Sequence, residues 1–323
     1  MDWPLLSKFI KYTADKSQKS IAFLVFDTVR SVFFYNISIL EYFQFHFAFK
    51  PDEDRKKYAG TGFMYEYQKI MNPHTCREIL EDKKLFYEMF KEESGRDAVF
   101  SKDILFNKSK VIEFLRSKNP KLVLKPSKGG SGKGLEIVNR SDIKEPTHLE
   151  LLMKRKKADM AEDFVYQHSS LMALSPVGLN TIRIITQIRD KKKVDFIGAR
   201  LRVSINSIVD NLAAGNVAAV VSLESGIVSS KGFYSDITKE PISVHPITNV
   251  NIVGFQVPFW NETLELVKTA ALKIANSNKS VGWDIGISET GPLLIEGNHD
   301  WCKLVWQLPS GVGLKADLVK YLD

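Results

Sequence analysis

Large apolar side chains recur at helical spacing over the first part of the chain, up to about residue 95. Apolar positions that follow each other by three or four residues are typical of helices that bury one face. Pro51, with Asp52 and Glu53 after it, separates one helix from the next; Pro73 interrupts the pattern again, and Gly95 ends it. The pattern therefore predicts a helical N-terminal region.

Beyond Ala98 the helical pattern gives way to short apolar runs that turns separate. Runs of this kind, bounded by Gly, Pro and Ser, are typical of strands. A basic stretch at 149–159 and an amphipathic stretch at 264–277 are predicted as helices. Strands are predicted at 122–124, 135–138, 164–167, 181–188, 194–203, 217–222, 285–288 and 293–296, and the last two form a hairpin. Helices followed by mixed strands and helices predict an α+β fold.

The composition is that of a globular protein with more than one compact unit. The chain has 323 residues, of which 44% are hydrophobic and 26% are charged. This excludes disorder and makes two or three packed units the expectation. The net charge of +7 and the pI near 9.1 favour anionic partners, or reflect only a solvated basic surface. The basic runs 154–157 and 189–193 lack interleaved aromatic residues, so no nucleic acid is expected as a partner.

Cysteine usage indicates a reducing compartment. Cys76 and Cys302 are the only cysteines, and two cysteines provide neither a disulfide framework nor a zinc cluster. Charged residues near the start of the chain argue against a secretory signal. We therefore expect a cytoplasmic protein.

The segment 21–49 is rich in aromatic and aliphatic residues. Asp27, Arg30 and Glu41 interrupt it, so it contains no apolar run long enough to span a bilayer. Two interpretations remain open. Its apolar stripe packs into the core of the protein, or it lies on a membrane surface, which would put the protein at the inner face of the membrane.

A glycine-rich segment follows the first predicted strand. Residues 125–134 read KPSKGGSGKG, and such a loop leaves backbone N–H groups free to close around phosphate oxygens. The segment is not a Walker A loop, because Lys133 is followed by Gly134 and a strand follows the loop. The alternative is a flexible turn between two strands.

Three oxygen-bearing side chains stand on the predicted C-terminal hairpin. Glu296 and Asn298 are two apart and so face the same side of a strand, and Asp284 lies on the partner strand. Carboxylate and amide oxygens suit Mg²⁺, and Mn²⁺ accepts them as well. The alternative is an exposed strand end with ordinary polar residues.

Arginines on the central strands form a third group of candidates. Arg183 follows Asn180, and Arg200 and Arg202 share one strand face, so both could point into the same cleft. Guanidinium groups suit carboxylates and transferring phosphoryl groups. Surface salt bridges are the alternative.

The order of these features resembles the ATP-grasp superfamily from residue 82 to about 300. Several stretches resemble, more closely, the sugar-transfer-associated ATP-grasp family, which is related to the α-L-glutamate ligases; they are QHSSLMALSPVGLNTIRIITQ, VDNLAAGN, HPITNVNIVGFQVPFW and VGWDIGISETGPLLIEGNHDW. The resemblance covers nearly the whole chain. It implies two α+β subdomains that clasp ATP, divided as a helical region 1–80, an N-terminal subdomain 81–160 and a C-terminal subdomain 161–323.

The resemblance also implies roles for individual residues. The nucleotide would be bound by Lys83, Lys125, Ser127, Gly129, Gly130, Ser131, Gly132 and Gly134, and by the adenine-reading hinge Glu162, Asp163, Phe164 and Val165. Mg²⁺ would be held by Asp284, Glu296 and Asn298. Phosphoryl transfer would be assisted by Arg202, Arg183 and Asn211. The chain departs from the family pattern where Asn216 follows Gly215 in place of a second glycine.

The implied activity is that of a carbon–nitrogen ligase. A carboxylate would be activated as an acyl phosphate and then joined to an amine, with small-molecule substrates linked to a sugar or an envelope-glycan precursor, as in capsule or polysaccharide biosynthesis. Two alternatives remain: a kinase of a sugar-like hydroxyl, or a nucleotide-binding peripheral membrane protein without turnover. His299, directly after Asn298, could be a general base or a phosphoryl acceptor, but a structural or substrate-facing role is expected.

Overall fold

The computed structural model describes residues 2–129, 134–190, 193–208 and 210–322. Its N-terminal part is helical, as predicted, and side-chain caps define the first helix starts. The Asp2 carboxylate accepts from the backbone N–H of Leu5, and the Ser20 hydroxyl accepts from that of Phe23. The helices are α1 (Trp3–Ser17), α2 (Ile21–Tyr35), α3 (Ile39–Gln44), α4 (Asp52–Arg55), α5 (Thr61–Met71), α6 (Glu78–Glu81), α7 (Lys83–Met89) and α8 (Lys91–Ser94).

A buried ion pair fixes how α2 packs on its neighbours. The Arg55 guanidinium donates to both oxygens of Asp27 at 2.8 and 2.9 Å, and the Tyr42 hydroxyl donates to the same carboxylate at 2.7 Å. Thr28 and Ser31 of α2 are buried beside this pair. The polar side of α2 therefore faces the protein, and Leu24 is its buried apolar contact.

The first sheet is a four-stranded antiparallel sheet in the order β1-β4-β2-β3. Its strands are β1 (Ala98–Phe100), β2 (Lys121–Lys125), β3 (Glu136–Asn139) and β4 (Met160–Asp163). Three helices, α9 (Ser101–Phe106), α10 (Lys108–Leu115) and α11 (Pro146–Lys156), share its apolar core. The prediction of a strand at 164–167 was wrong. β4 ends at Asp163, and the apolar residues that follow it line a cavity.

The second sheet is five-stranded and antiparallel, in the order β7-β6-β5-β8-β9. Its strands are β5 (Thr181–Arg189), β6 (Lys193–Val203), β7 (Val217–Val221), β8 (Ser280–Ser288) and β9 (Gly291–Asn298). Helix α13 (Trp260–Lys273) packs on one face, where Val267 meets Ile182 and Leu201 in the largest apolar cluster. The remaining helices are α12 (Ser169–Leu174), α14 (Lys303–Gln307) and α15 (Ala316–Val319).

The predicted hairpin of the second sheet is longer than the sequence pattern indicated. β8 begins five residues before the predicted start because Ser280, Gly282 and Asp284 break the apolar run without ending the strand. β4 crosses the predicted boundary between residues 160 and 161 and belongs to the first sheet. The division into three parts stays a prediction. Within the described residues, no helix has the length and apolar character needed to cross a membrane.

Replacing Arg55 with Met should lower the free energy of unfolding by about 3–5 kcal/mol, because the buried Asp27 carboxylate loses its partner. Urea unfolding followed by circular dichroism measures the change. Lys56→Met is the matched control: Lys56 pairs with Glu53 at an exposed site, and its loss should change stability by less than about 0.5 kcal/mol. Equal effects of the two substitutions would contradict the importance of the buried pair.

Candidate functional site

A cleft with two adjoining cavities lies between the two sheets. The larger cavity, of about 490 Å³, is in the range of small-molecule sites. The smaller, of about 280 Å³, shares Lys83, Lys125, Gly129, Ile295 and Glu296 with it. The larger cavity takes apolar side chains from both sheets and the segments that follow them: Val123, Leu135, Ile137, Phe164, Val165, Met172, Val177, Leu179, Ile208 and Ile295.

Lys83 stands at the first residue of α7 and connects that helix to the glycine-rich segment. Its backbone N–H donates to the Ser127 carbonyl at 3.0 Å, and its ammonium donates to the Gly129 carbonyl at 2.5 Å. Burial, together with the nearby charge of Lys125, lowers the pKa of Lys83. Two ammonium groups thus line one cavity, an arrangement that an anionic ligand would stabilise.

Glu162 is the buried centre of a second ion-pair network. Its carboxylate pairs with Lys125 at 2.5 Å and with Arg96 at 3.0 Å. Burial alone would raise the pKa of Glu162, but the charges of Arg96 and Lys125 lower it to about 2. Glu162 was predicted as part of the adenine-binding hinge; its side chain lines the cavity and also holds Lys125 in place.

Arg96 joins the two sheets, and the sequence patterns did not identify it. Its guanidinium reaches Glu162 in β4 and also donates to the carbonyls of Leu294 and Ile295 in β9, at 2.7 and 3.3 Å. It follows Gly95 at the end of the helical region and belongs to no motif. The partners of Arg96, which are Glu162 and two carbonyls of β9, lie far from it in the chain. A single sequence does not reveal such long-range contacts.

A β-bulge directs Glu296 toward Asp284. In the hairpin Ile285 pairs with Leu294, whereas Asp284 pairs with Glu296, so Ile295 is an extra residue. Residues two apart in a regular strand face the same side, but the bulge leaves Leu294 in the apolar core and places Glu296 on the opposite face. Bulges often re-aim side chains in this way next to active sites. Asn298, which pairs with Gly282, shares that face.

Two arginines surround Asp284. Arg183 donates to both of its oxygens, and Arg202 donates to Asp284 at 2.8 Å and pairs with Asp210 at 2.7 Å. Burial would raise the pKa of Asp284, but the charges of Arg183 and Arg202 hold it well below its usual range. Burial, followed by the charge of Asp284, raises the pKa of Glu296.

These side chains fit a magnesium ion. No group of three or more His, Cys, Asp and Glu side chains within the described ranges forms a metal cluster, so the candidate ligands are two carboxylates and the Asn298 amide. The amide nitrogen of Asn298 donates to the Gly282 carbonyl and to Glu296, at 3.3 Å each, and its oxygen is the atom that can bind a cation. Counted with Asp210, three carboxylates face two guanidiniums. A bound cation would balance the excess of negative charge and would lower the raised pKa of Glu296.

Two other predicted residues, Asn211 and Arg200, line neither of the two cavities. Asn211 caps a short 3₁₀ turn, where its side-chain oxygen accepts from the Ala213 N–H at 3.1 Å. Arg200 shares the strand face of Arg202, but its guanidinium donates to the Trp306 carbonyl and not toward the cleft. The prediction that both arginines point into one cleft was therefore wrong for Arg200, because the C-terminal segment offers it carbonyl acceptors.

The departure at Asn216 has a structural reason. Gly215 takes a positive φ of 86°, and the buried Asn216 does not need one. The Asn216 side chain accepts from the Ile205 N–H and donates to the Asn211 carbonyl, at 2.9 Å each. The Asn216 side chain thus links this turn by hydrogen bonds to the residues after β6. A second glycine has no side chain to make these bonds.

The glycine-rich loop is described only at its two ends. Ser127 donates its hydroxyl to Asp159 at 2.6 Å, and Gly129 and Gly134 have positive φ values of 107° and 76°, which suit glycine. The predicted residues Gly130, Ser131 and Gly132 lie outside the described residues.

His299 lies beside the candidate metal ligands and lines the smaller cavity. Its Nε2 lies 2.9 Å from the Glu81 carboxylate, and its buried Nδ1 has no hydrogen-bond partner among the described residues. Burial and the charge of Arg77 lower the pKa of His299. The structural or substrate-facing role of His299 stays a prediction.

Comparisons with known proteins give one extensive match. The profile of the family described as sugar-transfer associated ATP-grasp matches residues 63–321. A comparison with curated proteins finds no match.

Solved structures show low similarity to the chain. The ATP-grasp ligase PsnB, complexed with a phosphomimetic variant of its minimal precursor, Mg and ADP, is 12% identical at a TM-score of 0.44, over 81% of this chain and 66% of that chain. D-cycloserine synthetase DcsG is 12% identical at a TM-score of 0.44, over 81% and 79%. D-alanyl-alanine synthetase A from Vibrio cholerae O1 biovar eltor is 10% identical at 0.40, over 75% and 60%. The chain thus spans just under two thirds of the PsnB chain, and the family match alone carries the assignment.

Glu162→Gln should lower the free energy of unfolding by about 3 kcal/mol at neutral pH, because a pKa near 2 in the folded state lies below the ordinary value of 4.5. This stabilisation is complete above about pH 5 and is lost as the pH falls toward 2. Urea unfolding of both proteins from pH 7 to pH 3 should therefore show a difference that narrows. Glu88→Gln, which removes an exposed pair with Lys102, should show less than about 0.5 kcal/mol throughout. A difference in the free energy of unfolding between the wild type and Glu162→Gln that stays the same at every pH would contradict the lowered pKa of Glu162.

Proposed function

The chain belongs to the sugar-transfer-associated ATP-grasp family, and we propose that it is an ATP-dependent carboxylate–amine ligase. Its ATP-grasp fold places a cleft between two antiparallel sheets. One observation carries the proposal. The bulge in β9 turns Glu296 toward Asp284 on one side of this cleft, while Lys83 and Lys125 line the same cavity as Glu296.

ATP would occupy both cavities. The adenine would lie in the apolar part of the larger one, against Val123, Phe164 and Met172, where the backbone of 162–165 can read its edge. The triphosphate would extend toward Lys83 and Lys125, with the glycine-rich segment closing over it. The apolar end and the cationic end of the cleft match the two ends of the nucleotide.

The proposed reaction has two steps. An oxygen of the substrate carboxylate attacks the γ-phosphorus of ATP, the bond to the β-phosphate oxygen breaks, and an acyl phosphate and ADP form. The amine nitrogen then attacks the acyl carbon, phosphate leaves with the bonding electrons, and the nitrogen loses a proton to give the amide. The first step depends on positioning and charge neutralisation more than on proton transfer.

The chain's own residues would supply that positioning. Lys83 and Lys125 bind and orient the phosphates, and Glu162 holds the Lys125 ammonium at the cavity wall. Asp284, Glu296 and Asn298 would hold Mg²⁺, or Mn²⁺ in its place, which when bound neutralises phosphate charge. Arg183 and Arg202 keep Asp284 ionised and oriented.

Arg202 is proposed to stabilise the transferring phosphoryl group, with Arg183 and Asn211 supporting it. Its contacts with Asp284 and Asp210 fix its guanidinium behind the candidate metal ligands, and its permanent charge suits a developing negative charge. Asn211 would act through the turn that it caps, which follows Asp210 in the chain.

The substrates are proposed to include a sugar-linked molecule in the cytoplasm. The family description associates these proteins with sugar transfer, so an envelope-glycan precursor that carries a carboxylate or an amine is the substrate class to test first. Polysaccharide biosynthesis, including that of capsules, is the corresponding process.

Asp284→Asn and Glu296→Gln should each abolish turnover, since each removes one anionic ligand without changing the side-chain shape. Asp284→Asn should also lower the free energy of unfolding, because Arg183 and Arg202 lose a charged partner, so unfolding curves check that the variant is folded at the assay temperature. Phosphate release from ATP in the presence of candidate acids and amines, at limiting Mg²⁺, is the measurement. Glu289→Gln, at an exposed position on the turn between β8 and β9, serves as the control and should retain full activity. Wild-type rates in either site variant would remove the metal assignment.

Hydroxylamine should trap the intermediate as a hydroxamate, because an acyl phosphate is labile toward amines whereas a phosphorylated alcohol is not. Arg202→Ala should lower kcat by roughly 10²–10³-fold with a smaller change in KM, since the interaction develops mainly in the transition state. Arg202→Lys should recover part of the rate, and Arg189→Lys, at the exposed end of β5, should have no effect. A stable phosphorylated product without hydroxamate would establish a kinase instead.

A further inference from the structure

Helix α2 is packed with its polar side inward and its apolar side outward. The buried residues of its inner side include Asp27, Thr28 and Ser31. On the outer side, seven apolar side chains are between 45% and 79% exposed: Ile21, Phe23, Val25, Phe26, Val29, Phe33 and Phe34. We call these seven residues the apolar face of α2. Soluble proteins rarely expose a contiguous patch of this kind without a binding role.

The apolar face covers more than half of the helix. At about 100° per residue, the exposed positions from Ile21 to Phe34 extend over roughly 220° of the circumference, and Arg30 is the one charged residue of α2 within this arc. The Asp27–Arg55 pair on the opposite side prevents the helix from turning this face inward, because rotation would leave a buried charge without its partner. The outward orientation is therefore built into the packing of the protein.

We propose that the apolar face of α2 binds the surface of an anionic membrane. A fluid bilayer can surround so broad and convex an apolar surface, whereas a protein partner would need a matching groove. A helix of 15 residues is about 22 Å long, shorter than the hydrocarbon core of about 30 Å. α2 would therefore lie along the membrane surface, with its phenylalanines among the lipid chains.

Positive charge beside the apolar face selects anionic lipid over a second copy of the chain. The Lys19 ammonium lies 5.0 Å from the centre of the Phe23 ring, and the Arg30 guanidinium lies 5.3 Å from that of Phe34. Arg30 is balanced by Asp52 and Lys8 by Asp236, which leaves three lysines, Lys11, Lys16 and Lys19, and one acidic residue in the segment 8–19 before α2. The whole chain carries a net charge of +7, so two copies would repel each other while an anionic surface attracts the protein.

This proposal is independent of the catalytic one, and co-sedimentation with vesicles tests it without any activity measurement. The wild-type protein should bind vesicles of phosphatidylcholine with phosphatidylglycerol, bind pure phosphatidylcholine much more weakly, and lose affinity as salt is added. Phe26→Ser/Phe33→Ser should weaken binding at least about tenfold, because the two most deeply inserted rings are lost. Phe106→Ser is the matched control: Phe106 is 86% exposed on α9, and its loss should leave binding unchanged.

Several outcomes would overturn the membrane assignment. They are an absence of vesicle binding by the wild type, equal binding to neutral vesicles, and unchanged binding by the double variant. A wild-type dimer that Phe26→Ser/Phe33→Ser converts to monomers would show that a second copy covers the face instead. Unfolding curves check that the variant is folded, and Val25→Ser/Val29→Ser provides a second test on the same face, with the same loss expected.

Discussion

A buried guanidinium, that of Arg96, joins the two sheets, and the shape of the cleft depends on it. Burying a charge is costly unless it is paired and fully hydrogen-bonded. Arg96 meets this condition by using a carboxylate of β4 and two carbonyls of β9. Glu162 serves Lys125 at the same time. A phosphate that drew Lys125 away would thus leave Glu162 still neutralised, and the sheets would keep their spacing while the lysine changed partners.

On the other side of the cleft, a buried carboxylate is again neutralised by guanidinium groups. Asp284 has its charge matched by two arginines, whereas Glu296, on the same face, has a raised pKa. The pKa values of these two neighbouring carboxylates are thus shifted in opposite directions, and a nearby cation would favour the charged form of both. Arg183 and Arg202 therefore favour the charged form of Asp284, and a positive charge beside Glu296 would lower the pKa of this second carboxylate.

The sequence predicted the helices and strands better than it predicted how they pair and pack against each other. β5, β6 and β7 were found almost to the residue because alternation and β-branched side chains mark half-buried strands. The bulge at Ile295 was not predictable, since periodicity does not tell which residue of a hairpin is extra. Helix α2 was ambiguous for a related reason: an apolar stripe looks the same whether it faces the core or the outside. The contact between Asp27 and Arg55, 28 residues apart, decides the orientation, and a local pattern does not contain it.

The bulge in β9 makes the number of residues in this strand as critical as their identity. If Ile295 took part in regular pairing, alternation would put Glu296 on the same side as Leu294, in the apolar core. A one-codon insertion between Ile295 and Glu296 would retain every functional side chain but, with the bulge kept, would move Glu296 opposite Trp283 and turn its carboxylate toward the apolar core. Gly297 adds a restriction on residue size, because a Cβ there would lie 2.9 Å from the Leu80 side chain and 3.1 Å from the ring of the buried Trp283. Mutational scans that only exchange one amino acid for another would not reveal this demand on spacing, whereas a scan of single-residue insertions and deletions would.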